Sequence, residues 1–129
     1  MSSRFARLIV AMIIVATAES ASAQISPSAP APLNTNATTT DPGSDVVPEL
    51  ATDGFGHWVS VWQSSDQLGG TIEGDYDILV SRSTDNGATW TAAAALNTNA
   101  GNDFRDDIWP QVTTDRLGHW VAVDRKSVV

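Results

Sequence analysis

Between residues 48 and 123 the chain runs in short apolar stretches separated by breaks containing Gly, Pro, Asn and Asp, and no stretch repeats at helical spacing. The pattern predicts strands. Residues 50–52 follow a proline, Pro48, which is tolerated at the start of a strand. Residues 57–62 are dense in Trp and Val and begin just after Gly56, while residues 77–83 form an apolar run with a polar end. Residues 90–96 complete the set, although four consecutive alanines there have poor strand propensity and suit an outer edge.

The strand pattern recurs. Leu33-Asn34-Thr35-Asn36-Ala37 returns as Leu96-Asn97-Thr98-Asn99-Ala100, an offset of 63. Two further blocks return at an offset of 62: Pro48-Glu49-Leu50-Ala51-Thr52-Asp53 as Pro110-Gln111-Val112-Thr113-Thr114-Asp115, and Gly56-His57-Trp58-Val59-Ser60-Val61 as Gly118-His119-Trp120-Val121-Ala122-Val123. A one-residue deletion between Ala100 and Asp107 reconciles the offsets and marks a loop. Short antiparallel strands in a unit of about 60 residues are the pattern of a β-propeller blade, and such repeats generally need about three or more neighbours to bury their faces. The expected fold is all-β: one complete four-stranded blade, residues 33–96, and the start of a second, residues 97–123.

Residues 1–23 follow another pattern. Arg4 and Arg7 precede an apolar run ending at Ala18, and Ala21-Ser22-Ala23 provides small residues before Gln24, so the segment reads as a cleaved secretory signal. The run is too short for a membrane span, which needs about 20 apolar residues. The protein is therefore expected outside the cytoplasm, extracellular or periplasmic, with no span after cleavage. It has no cysteine, so packing rather than disulfides must hold it.

The net charge of −8 becomes −9 without the leader, with 5 basic against 14 acidic residues. Without Lys/Arg clusters to neutralise phosphates, nucleic acid is not an expected partner. Glycans are, and so are the remaining blades of the same chain.

Between the third and fourth strands lies Ser83-Thr84-Asp85-Asn86-Gly87-Ala88-Thr89-Trp90. Asn86-Gly87 is a hairpin signal, because both residues tolerate φ > 0. The Asp85 carboxylate can accept backbone N–H bonds inside the turn, with Ser83 and Thr89 supplying hydroxyls. Trp90 is expected to start the next strand and bury its ring. Each of these residues has a structural task, and Asp85 is read as holding the turn rather than as a catalytic acid.

The octapeptide matches the Asp-box, Ser-x-Asp-x-Gly-x-Thr-Trp, at every defined position. Through it, and through the repeat around it, the chain resembles the bacterial sialidase (neuraminidase) superfamily over about residues 33–123. The resemblance implies a six-bladed propeller and, for catalytic members, hydrolysis of terminal sialic acids by a Tyr nucleophile. It also implies a partnering Glu, an Asp acid/base and three arginines that clamp the substrate carboxylate, the first in a Phe/Tyr-Arg-Ile-Pro motif.

Phe104-Arg105 is followed by Asp106-Asp107-Ile108-Trp109-Pro110, which places the Ile-x-Pro three positions too far on. Arg105 accordingly reads as a loop residue. Tyr76, the sole tyrosine, precedes the third strand, whereas the family nucleophile comes from a later blade. No catalytic residue and no cofactor site is assigned. Trp58 and Trp120, with His57 and His119 before them, occur once per unit and are expected to serve packing. Asp66, Glu73, Asp75 and Asp77 surround a Gly-rich insertion and carry the one calcium reading, without the fixed spacing of a Ca²⁺ loop.

Two segments flank the repeat. Residues 24–32 are rich in Pro, Ser and Ala and read either as a linker or as an outer strand that closes the ring, since Ala29-Pro30-Ala31-Pro32-Leu33 stands before its Asn-Thr-Asn-Ala as residues 92–96 do before the second copy. Residues 124–129 break the pattern after Val123. Their codons can spell a common short-read sequencing adapter, so the tail is expected to be non-native. Two functions follow from the sequence: an exported exo-α-sialidase whose scaffold this segment supplies, or a non-catalytic Asp-box propeller that binds glycans or proteins.

Overall fold

The computed structural model describes residues 32–33, 43–102 and 104–126. The leader at residues 1–23, most of the 24–32 segment and residues 127–129 lie outside them. All regular structure among the described residues is β: β1 (Asp45–Thr52), β2 (Trp58–Ser64), β3 (Asp77–Ser83), β4 (Ala94–Ala95), β5 (Asp107–Thr114) and β6 (Trp120–Lys126). They form one antiparallel sheet in the order β1-β2-β3-β4, and a second sheet of β5 and β6. Neither sheet closes on itself.

The strands obey the period-2 rule for side chains, so each sheet has two distinct faces. Registers Val59↔Arg82 and Val61↔Val80 place Val59, Val61, Ile78 and Val80 on one face of the first sheet, here face A. This cluster is one of two parts of the core, and Val112 and Trp120 of the second sheet pack against it. The opposite face B carries Leu50, Ser60, Trp62 and Leu79, from the registers Leu50↔Ser60 and Trp62↔Leu79. Trp62 and Leu79 bury against Ile72 and Ala100 from the loops, with Leu68, Ala93 and Ala95 at the margin.

Two strands differ from the sequence expectation. β1 begins five residues before residue 50, because Pro48 sits inside it at a bulge and not at its start. The register slips between Val46 and Glu49, and Val47 takes φ 52°. β5 repeats the device, slipping between Ile108 and Gln111 with Trp109 at φ 58°. A bulge leaves one residue out of the ladder, which accommodates the proline's missing N–H. β4 is shorter than expected, two residues in place of 90–96. Its alanines offer little to pack, while Thr91 N–H to the Arg82 carbonyl (2.9 Å) and Leu96 N–H to the Ile78 carbonyl (2.8 Å) still tie the segment to β3.

β6 runs on through Asp124 to Lys126, past the point where the sequence pattern breaks. Ile108↔Arg125 and Asp107↔Lys126 continue the ladder as Val46↔Gln63 and Asp45↔Ser64 do in the first unit. Backbone pairing carries the strand there, and Lys126 Nζ lies 2.7 Å from the buried Asp107 carboxylate.

Candidate functional site

Both sheets end, on one side, in tight turns that the sequence repeats. In the Asp-box hairpin Asn86 and Gly87 take φ 64° and 85°, as a two-residue primed turn requires. Asp85 organises the rest. Its carboxylate accepts from Thr89 Oγ1 (2.5 Å), Thr89 N–H (2.8 Å) and Ser83 Oγ (2.8 Å), while Ser83 Oγ accepts the Gly87 N–H at 2.9 Å. The hydrogen bonds from the Thr89 hydroxyl, the Thr89 N–H and the Ser83 hydroxyl favour the ionised carboxylate and hold its pKa down to about 2.

Trp90 does not start a strand. Its indole Nε1 donates to the Gly87 carbonyl at 3.1 Å, which draws the ring over the turn and away from the sheet ladder.

The β1–β2 turn abuts this hairpin. Asn86 N–H donates to the Gly56 carbonyl at 2.8 Å, and Trp58 Nε1 donates to Asn86 Oδ1 at 3.3 Å. Inside the turn Asp53 Oδ1 accepts from the N–H groups of Phe55 (2.7 Å) and His57 (3.2 Å), and its Oδ2 accepts from His57 Nδ1 at 2.5 Å. Thr52 Oγ1 closes the turn by donating to the His57 carbonyl at 2.9 Å.

The β5–β6 turn repeats this network bond for bond. Asp115 accepts from Leu117 N–H (2.7 Å), His119 N–H (3.2 Å) and His119 Nδ1 (2.6 Å), and Thr114 Oγ1 donates to the His119 carbonyl at 2.7 Å. Burial pushes the Asp53 carboxyl up, but the bonds from His57 and Phe55 outweigh it and leave its pKa lowered. Bonds from Leu117 and His119 do the same for Asp115. The aspartates of these turns went unread in the sequence. The available signal was a repeated Asp four residues before each repeated His.

The opposite ends of the strands gather the remaining candidate residues. Tyr76 N–H donates to Asp106 Oδ1 at 3.2 Å, and Asp107 N–H to the Tyr76 carbonyl at 2.6 Å, so the tyrosine's backbone stitches the two loops together. Arg105 is exposed in the 97–106 loop. The Ile108-Trp109-Pro110 that stood near an arginine motif is instead the β5 bulge, matching Val46-Val47-Pro48.

Asp66, Glu73, Asp75 and Asp77 do not converge, and no group of three His, Asp or Glu side chains able to hold a metal occurs among the described residues. Asp66 Oδ1 is occupied by the Leu68 N–H at 3.0 Å, and Asp77 lies within β3 opposite Ser64.

A cleft of about 420 Å³ opens between the sheets, walled by Val59, Val61, Val80, Leu96, Val112 and Trp120. His57, Arg82 and Ser83 stand at its rim. The Ser83 hydroxyl is taken up in the Asp-box hairpin, donating to Asp85 at 2.8 Å and accepting the Gly87 N–H at 2.9 Å. The cleft is a seam between packed apolar faces with a polar edge.

Comparison of the chain with family models, curated proteins and solved structures finds no match to any of them.

Proposed function

We propose that this chain supplies scaffold units of an exported, sialidase-like Asp-box β-propeller and contributes no catalytic group of its own. The observation that carries the reading is the Asp85 network: every side chain that defines the Asp-box is spent inside the hairpin. A carboxylate held at about 2 by three donors cannot deliver a proton near neutral pH, so Asp85 suits a structural anchor and not a general acid.

The two stacked sheets, with equivalent turns on the same side, support blade-like units arranged side by side. Hydrolysis of terminal sialic acids remains the activity implied by the resemblance, and its residues belong to other blades.

A second reading, a propeller that binds glycans or proteins without hydrolysing them, is favoured by the β5 bulge. That bulge accounts for Ile108-Trp109-Pro110 without an arginine clamp. A fluorogenic sialoside assay tests the reading. The 129-residue chain should release no fluorophore above a heat-denatured control, and turnover by the folded chain would overturn the scaffold assignment. The gene's full product separates the two readings: hydrolysis supports the enzyme, and sialoside binding without hydrolysis supports the binding propeller.

A further inference from the structure

The two units do not stack symmetrically. The second sheet presents its face B, Val112, Trp120 and Ala122, to face A of the first. Equivalent residues therefore differ in burial only by which side is covered. Val59 and Val61 are 8% and 0% exposed, whereas their counterparts Val121 and Val123 are 56% and 54% exposed. Conversely Pro110 is buried and its counterpart Pro48 is exposed, and Leu50, the counterpart of Val112, is 53% exposed.

The outer surfaces thus repeat part of the interface the chain already forms: Val121 and Val123 stand where Val59 and Val61 do, while Ile78 and Val80 of β3 have no counterpart in the two-stranded second sheet. Each keeps apolar residues of its covered twin: Val121 and Val123 against Val59 and Val61 on one side, and Pro48 and Leu50 against Pro110 and Val112 on the other. The seat of Leu33 agrees with this. Leu96 lies between the sheets beside Ala122 and Val112, and Leu33, its counterpart, lies on face B of the first sheet beside Ser60, Pro48 and Val46.

We infer that a second copy of this chain docks head to tail, its Pro48-Leu50 surface covering Val121 and Val123 as β5 around Val112 packs against Val59 and Val61. The contact is heterologous, so it leaves one free face at each end and continues into a ring or an open chain of copies. It rests on the observed sheet packing and not on the sialidase reading, so an inactive but associating chain separates the two.

Sedimentation velocity on the full chain over a wide concentration range tests it. The weight-average mass should rise above one chain with concentration. Leu50→Asp and Val123→Asp each replace an exposed side chain, so the fold should persist by circular dichroism while each variant alone sediments as a single chain. A mixture of the two retains one intact pair of faces and should form a species of two chains and nothing larger. A monomer at every concentration, unchanged association of either variant, or no two-chain species in the mixture would each overturn the inference.

Discussion

At the scale of single residues, Asp85 and Gly87 carry the Asp-box. Gly87 sits at φ 85° with no atom near the position its Cβ would take, so the cost of a side chain there is purely conformational. Gly87→Ala should lower unfolding free energy by about 1–2 kcal/mol, measured by urea denaturation. Asp85→Ala removes acceptors for three donors and should lower the Tm more than Thr89→Val, which removes one. The pH dependence has a definite sign. The Asp85 pKa falls from 3.8 unfolded to about 2 folded, so its contribution is complete above 3.8 and drains away as pH falls towards 2. Asp85→Asn should therefore flatten the acid limb of a Tm–pH curve over that interval and leave its slope above pH 3.8 unchanged.

At the scale of elements, the sequence exposes β2 and β3 because Trp, Val, Ile and Leu fill them and glycine or turn residues bound them. β4 was harder to bound, since alanine carries little strand signal; the pairs Leu79↔Ala95 and Val80↔Ala94 define it, with tethers at Thr91 and Leu96 outside it. The start of β1 was hidden by Pro48, which looks like a boundary locally. Its interior position becomes legible only by aligning Asp45-Val46-Val47-Pro48 with Asp107-Ile108-Trp109-Pro110. The Asp-box was legible residue by residue, apart from Trp90, whose indole bond to Gly87 depends on three-dimensional closure. The Asp–His turns take the Asx form, each Asp accepting the N–H two residues on, a bond open to any loop Asp; only the repeated spacing to His57 and His119 marks these two.

The same elements make a paired prediction. Val61 and Val123 share residue type and repeat position, but Val61 is fully buried. Val61→Ala should cost about 2–3 kcal/mol through lost burial and a residual cavity. Val123→Ala, tested at monomeric dilution, should stay within about 0.5 kcal/mol, as expected for an exposed site. Similar losses at both positions would mean that the sheets do not stack by the face described.

At the scale of the molecule, apolar burial is divided between the seam joining the sheets and the loop-covered half of face B. No disulfide supplements it. A stack in which each unit contacts only its neighbours derives its stability from unit and interface contributions together, so weakening the seam should loosen β5 and β6 before the four-stranded sheet. Trp120→Ala should raise amide hydrogen exchange across β5 and β6 well above that in β2 and β3. Equal acceleration in all strands would indicate a single cooperative core instead.

The account depends on one arrangement above all: face B of the second sheet lying on face A of the first. Methyl and aromatic NOESY spectra of the labelled chain at monomeric dilution test it directly. The account predicts cross-peaks from the Trp120 ring to Val59, Val61 or Val80 methyls, and none from Val121 or Val123 to that set. Cross-peaks from Val121 and Val123, with Trp120 silent, would contradict it.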